Sequence, residues 1–204
     1  IMDTKSRIME TAFKLLLKKG FDNVSINEVK RESNITTGGF YHHFESKDTL
    51  MVEVIKKHLF NYFYLTMEQI KNFEGTPKEK LKVAILSIIG DDSVINETTQ
   101  LVGGPEKIDY RTLHLLLIEG VQKYNMISEI YTEFFRKLFD FIKDVINEGI
   151  SQGVIRSDIN PDIISEVIET TIMGTVIMWI ALPEKSMKER VETNINEVWE
   201  HIKN

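Results

Sequence analysis

Between Thr36 and His43 the chain reads Thr-Thr-Gly-Gly-Phe-Tyr-His-His, a run of small and hydrogen-bonding residues broken by one apolar ring. Threonine, tyrosine and histidine can donate to phosphate oxygens or base edges, and glycine lets a backbone come close to a partner. Two adjacent glycines also cost a helix roughly 1 kcal/mol each. Gly38 and Gly39 therefore need either a closely approaching partner or a loop in place of a helix, and spacing alone leaves both readings open. Other chemistry is not written in the chain. With no cysteine there is no disulfide, iron–sulfur cluster or thiol nucleophile. No Gly-rich phosphate loop, serine elbow, His-Glu-x-x-His or calcium-loop spacing occurs. His42 and His43 are sequence neighbours that a helix sends in different directions, which makes a poor metal site. The expectation is a non-enzyme without metal or cofactor.

Charge limits where a polyanion could bind. The 204 residues carry 25 Lys+Arg against 31 Asp+Glu, a net charge of −6. Residues 1–50 hold 8 basic and 7 acidic side chains, and residues 51–204 hold 17 and 24. A nucleic-acid surface would have to lie in the first quarter, because phosphate binding rests on Lys and Arg and an acidic body repels the polyanion. The longest uncharged apolar stretch, Thr170 to Leu182, has 13 residues, short of the roughly 18–20 a spanning helix needs. No apolar leader follows Ile1-Met2-Asp3-Thr4-Lys5, so the expected address is cytoplasmic, with no membrane partner.

The elements that must hold residues 36–43 read as helices. Apolar residues recur at three and four, and no period-two run bounded by hairpin turns occurs. A first helix over about Thr4 to Lys19 puts Ile8, Ala12, Leu15 and Leu16 on one face and stops at Gly20. Ser25-Ile26-Asn27-Glu28 predicts a capping box and a second helix. Asn34, which tolerates a left-handed backbone, should end it. Thr36 can cap a short third helix to about His42, and Ser46 a long fourth one to about Asn72. Further helices are expected at about 76–90, 92–101, 105–124, 127–152, 161–182 and 186–203. Two short helices joined by a tight turn and backed by an amphipathic first one form the pattern of a helix-turn-helix, whose second helix reads the major groove. Thr37, Gly38, Gly39, Tyr41 and His42 face outward there, while Phe40 and Phe44 point back toward Ile8, Ala12, Ile26 and Val29.

Gly20-Phe21 through Ser25-Ile26, followed by Ile35-Thr36-Thr37-Gly38-Gly39-Phe40-Tyr41-His42-His43-Phe44-Glu45-Ser46-Lys47-Asp48-Thr49-Leu50, closely resembles the DNA-binding region of the TetR family of transcriptional regulators. The likeness covers about the first 55 residues, and its most specific part is Tyr-His-His-Phe followed by Ser-Lys-Asp. Ser33-Asn34 departs from the family's more usual Ala-Gly in the turn. The resemblance implies an all-α homodimer on a palindromic double-stranded DNA operator, with an N-terminal three-helix helix-turn-helix domain (1–50) joined by a long helix to a larger helical effector-binding and dimerisation domain (51–204). It further implies phosphate contacts from Ser25, Thr36, Tyr41 and Lys47 and groove-facing Thr37, Gly38 and His42. Helix N-termini offer free N–H groups and partial positive charge to phosphate, which agrees with Ser25, Thr36 and Lys47.

Two further expectations concern residues 51–204. Tyr131, Phe135, Phe139, Ile142 and Ile146 mark a second apolar face on the 127–152 helix, and Ile168, Ile172 and Val176 one on the 161–182 helix. A helix with two apolar faces needs two partners, so these residues are the expected interface of a four-helix homodimer contact; a monomer's central core helices would show the same pattern. Phe60, Phe63, Tyr64, Met67, Tyr110, His114, Leu117, Phe134, Met178 and Trp179 are the expected walls of a pocket for a small hydrophobic or amphipathic effector, or simply core. The expected function is a ligand-responsive repressor released from its operator by that effector. Two alternatives stand beside it, an effector-independent regulator and a small-molecule carrier with a vestigial helix-turn-helix.

Overall fold

The computed structural model describes residues 2–89 and 110–204. The regular elements among them are α1 (Thr4–Lys19), α2 (Ile26–Ser33), α3 (Thr37–Tyr41), α4 (Lys47–Ile55), α5 (Asn61–Lys71), α6 (Pro77–Ile89), α7 (Tyr110–Lys123), α8 (Asn125–Ser151), α9 (Pro161–Ala181) and α10 (Met187–Ile202). The fold is all-α, with one antiparallel bridge, Ile155 to Lys203, as the only β contact among the described residues. The helix expected at 92–101 lies outside them.

Capping side chains set most of the helix starts. Asp3 accepts from the Ser6 N–H at 2.9 Å to open α1, and Asn160 accepts from the Asp162 N–H at 2.9 Å to open α9. Gly20, at φ 74°, closes α1 in a backbone region costly to any residue with a Cβ. Reciprocal capping boxes stand at Ser186–Glu189 and at Thr76–Glu79, where each backbone N–H is accepted by the other's side chain. The box expected at Ser25–Glu28 is half formed. Ser25 accepts from the Glu28 N–H at 3.2 Å, but the Glu28 carboxylate turns to the Lys19 ammonium, whose hydrogen bond holds it below the usual carboxylate range. A full-length lysine one helix away offers a charge-assisted bond that the cap N–H cannot match.

The expected long fourth helix has the right extent and the wrong uniformity. α4 passes into wider π-type turns over Lys56–Phe60 before α5 resumes the ordinary pitch.

The chain divides into two compact units. The first takes its described residues from α1 through Tyr62 and from 110–132. Its core gathers Ile8, Ala12, Phe13 and Leu16 of α1, Phe21, Val29, Phe40 and Phe44, Leu50 and Val54 of α4, and Leu113, Leu116 and Leu117 of α7, all buried. A Cβ on Gly120 would meet the Phe21 ring and Ile127 Cδ1 at 3.2 Å, so this glycine lets α7 pack closely on Phe21. The second unit runs from Phe63 through α6 and from residue 133 to the end. It buries Leu81 and Ile85 of α6, Phe134, Leu138 and Phe141 of α8, and Val191 and Ile195 of α10. Lys80 of α6 spans to both carboxylate oxygens of Glu148 on α8 at 2.9 Å.

The interface expectation needs correcting at five positions. Ile142, Ile146, Ile168, Ile172 and Val176 are sealed in the core of this single chain, so they can touch no second copy while the fold is closed. The exposed apolar residues of α9 are instead Ile163, Val167, Ile177 and Met178, at 58, 44, 47 and 46% exposure. α9 is apolar nearly all round, with a mean hydropathy of 1.6 over its richest window, and periodicity cannot then say which stripe faces in. Counted as a 21-residue helix, it also reaches the length and apolarity that can cross a membrane, which the uncharged stretch alone does not. Tyr131, Phe135 and Phe139 keep part of their surface.

Candidate nucleic-acid interface

α2, the turn and α3 place the residues expected to meet DNA. α2 ends at Asn34, which sits in the left-handed region at φ 53° and ψ 55°, so asparagine fills the role the family more often gives to glycine. Inside the turn Ser33 is buried and donates from Oγ to the Val29 carbonyl at 2.5 Å. Thr36 caps α3 by accepting from the Gly39 N–H at 3.1 Å. Phe40 and Phe44 anchor the short helix from beneath, buried with ring centroids 5.9 Å apart. Tyr41 packs edge-on against Phe40 at 5.3 Å, yet is half exposed. Ser25, Thr36, Thr37, Gly38 and His42 are exposed as well.

The two glycines have different reasons to be there. Both lie inside α3, so the loop reading fails. A Cβ on Gly39 would stand 3.3 Å from Thr36 Oγ1, against the cap itself. A Cβ on Gly38 would meet nothing within 4 Å, and its backbone is ordinary right-handed helix. The fold therefore gives no reason for glycine at 38, where alanine would stabilise the helix by roughly 0.5–1 kcal/mol. A surface that must come within van der Waals distance of a partner does give one.

The polar groups of this face are partly occupied. Lys30 Nζ donates to Thr37 Oγ1 at 2.9 Å. Lys47 Nζ donates to the Phe21 carbonyl at 2.7 Å, tying the start of α4 to the connector after α1. An ammonium has three N–H groups, so Lys47 keeps two for a phosphate while the first fixes its position. The Ser25 and Thr36 oxygens accept from backbone N–H groups, which leaves their hydroxyl protons to donate outward. His42 and His43 sit edge to face at 5.0 Å, and no group of three or more potential ligands that could hold a metal ion occurs among the described residues.

The expected effector residues are not brought together as a set. Tyr64 and Met67 line a cavity of about 430 Å³ with Glu68, Lys71, Lys137 and Asp140. The Phe134 ring lies 6.3 Å from Tyr64. Lys137 Nζ stands 4.3 Å over the Tyr64 ring, and burial, then the nearby Glu133 charge, push the Tyr64 hydroxyl's pKa up. Phe60 belongs to the first unit, edge-on to Tyr131 at 6.3 Å, and Leu117 is buried there too. His114 and Trp179 are half-buried. Met178 lines a different cavity. The side chains of Phe63 and Tyr110 lie outside the described ones. Sequence reasoning passed over Lys137, Glu68 and Asp140, because charges on a helix read as a solvated face.

Residues 8–54, from the buried face of α1 to the end of α4, match the family model described as bacterial regulatory proteins, tetR family. Over that segment the chain is similar to the TetR family. Among curated relatives, the uncharacterized HTH-type transcriptional regulator YerO of Bacillus subtilis is 36% identical over 88 residues, 41% of this chain and 29% of that protein. The HTH-type transcriptional repressor NemR of Escherichia coli is 27% identical over 79 residues, 39% of this chain and 40% of that protein. The matched region thus spans at most about two fifths of either relative. A solved TetR transcription regulator from Haloarcula marismortui superposes with a TM-score of 0.78 over 99% of both chains at 16% identity, which shows the TetR fold through residues beyond the matched segment.

Proposed function

We propose that this chain is a ligand-responsive repressor of the TetR type that binds a palindromic operator as a homodimer and leaves it when a small amphipathic effector binds. Residues 1–50 are the proposed DNA-binding domain and residues 51–204 the proposed effector and dimerisation domain. Gly38 carries the first part of the reading: an exposed glycine on the face of α3 that the chain's own packing does not require. Ser25, Thr36, Tyr41 and Lys47 are assigned to phosphates, and Thr37, Gly38, Gly39 and His42 to the groove. The Tyr64 cavity supports the effector. Its aromatic ring, Met67 and mixed charges suit a ligand with an apolar body and a polar or cationic end. The exposed seam of α9, with Tyr131, Phe135 and Phe139 as further candidates, supports a second copy. Displacement of residues 47–71 by the effector is the proposed route to the reading heads.

Selection of bound sequences from a random duplex library tests the assignment. Wild-type protein should enrich a palindrome, His42→Ala should change the sequence enriched, and Gly38→Ala should lose binding although its thermal midpoint stays level or rises. Full operator affinity in Gly38→Ala would remove α3 as the reading helix.

A further inference from the structure

A second cavity lies apart from both the reading face and the Tyr64 cleft. It measures about 370 Å³, and its polar lining is Thr171 and Thr175 of α9, Lys185 of the connecting turn, and Arg190, Thr193 and Asn194 of α10. In a chain with a net charge of −6, this lining holds two cations and no carboxylate.

Neither cation is held in an ion pair among the described residues, though Glu189, its carboxyl held below the usual range first by the Ser186 hydrogen bonds, is reached by the Lys185 charge as well. Lys185 and Arg190 have no carboxylate within ion-pair distance among the described residues. Glu189, next in the chain to Arg190, is committed to the helix cap, accepting from the Ser186 N–H and Oγ at 2.9 Å. Arg190 Nη2 donates to the Leu182 carbonyl at 2.5 Å, which fixes the guanidinium. Its Nε is buried without a hydrogen-bond partner. Shut off from water, Nε does not face the open space, so the guanidinium, which lines the cavity, has its remaining Nη protons to offer a ligand, and an oxyanion is the acceptor such a cation fits best.

The hydroxyls narrow the ligand class. Thr171 donates to the Val167 carbonyl at 2.7 Å, Thr175 to the Thr171 carbonyl at 2.7 Å and Thr193 to the Glu189 carbonyl at 2.8 Å. Asn194 Nδ2 in turn donates to Thr175 Oγ1 at 2.7 Å. With their protons committed to the helix backbone, the threonines present lone pairs. The cavity thus offers cationic donors for a negative group and acceptors for O–H groups on the same molecule.

We propose that α9 and α10 form a binding site for a small hydroxylated oxyanion, a hydroxycarboxylate or a phosphate ester of a polyol. Every polar group involved comes from one chain, so the site does not rest on the effector reading of the Tyr64 cavity. Gly174 and Met178 of its lining lie on the exposed side of α9 proposed for a second copy, so the titration is repeated on the Val167→Glu protein, where the seam is open and binding should persist. Calorimetric titration of the full chain with glycerate and with glycerol phosphate tests it and separates the two sources, with sulfate as the hydroxyl-free control. One of the two should bind saturably at one site per chain and at least about tenfold more tightly than sulfate. Lys185→Gln should weaken it about tenfold, the scale of one lost charge-assisted bond. Thr171→Val should abolish the preference over sulfate. Arg190→Gln should act like Lys185→Gln, but it also frees the Leu182 carbonyl, so Lys185→Gln, whose side chain is exposed, is the decisive variant. Absence of saturable binding by both probes at millimolar concentration overturns the site. So does unchanged affinity in Lys185→Gln. Equal affinity for sulfate and the hydroxylated probes would leave an adventitious ion only.

Discussion

Single residues show both the reach and the limit of sequence reading in this protein. Asn34, Thr36 and Ser46 sit where cap chemistry puts them, since a helix end is decided by a side chain and a backbone N–H a few residues away. His58 was illegible because its environment is tertiary. Its ring stacks on Phe13 of α1 at 4.5 Å with the planes 5° apart, and its Nε2 is buried without a partner. Burial, and secondarily the charge of Lys57, bring its pKa down from 6.5 to about 4. The unfolded chain then takes up a proton below about pH 6.5 that the fold refuses until about pH 4. Stability from the neutral ring is full above about pH 6.5, falls as the pH drops toward 4, and levels off below. The total loss should be on the order of 3 kcal/mol. Urea unfolding of wild type and His58→Phe between pH 7 and 4 checks this. The phenylalanine variant keeps a stacking ring and should lose the component of the slope that the histidine supplies; parallel curves would show that His58 titrates normally.

At the scale of elements, amphipathic helices were legible and the all-round apolar one was not. α1 shows its buried side in sequence because polar residues mark the other side. α9 carries apolar residues on both sides, and only packing reveals that Ile168, Ile172 and Val176 face in while Ile163, Val167 and Ile177 face out. The outward set falls at positions 163, 167, 170, 174, 177 and 181, an alternation of four and three that makes a seam for another helix. Val167→Glu or Ile177→Glu should therefore shift the protein toward monomer in sedimentation equilibrium with its helical signal intact. Ile168→Glu, one residue along, buries a charge and should unfold it, at a cost of several kcal/mol. A Val167→Glu protein that remains a tight dimer would move the interface to the partly exposed Tyr131, Phe135 and Phe139.

The whole molecule is acidic, and the segment proposed to bind DNA is the part that escapes that balance. Even there the cations are mostly engaged: Lys5 pairs with Glu53 at 2.6 Å, Lys19 with Glu28, and Arg31 with Glu32 at 3.1 Å. Few are left to displace counterions from a duplex. Since each neutralised phosphate contributes about −0.9 to the slope of log K against log salt, operator binding should fall with a slope no steeper than about −5. Fluorescence anisotropy across a salt series measures it, and a slope near −10 would reveal phosphate contacts well beyond those of the α2–α4 face. The wide turns at Lys56–Phe60 bear on this molecule in another way, as a matter of chain length. An ordinary helix rotates about 100° per residue, and a π turn absorbs one residue more than the α-helical repeat does. Leu50 and Val54 before those turns and Leu59 and Phe60 within them are all buried, so the extra residue holds both stretches in phase with their packing. Substituting any of the exposed lysines there changes a side chain; deleting one turns every later residue of α5 by about 100°, making residue count, more than residue identity, the quantity this segment has to keep.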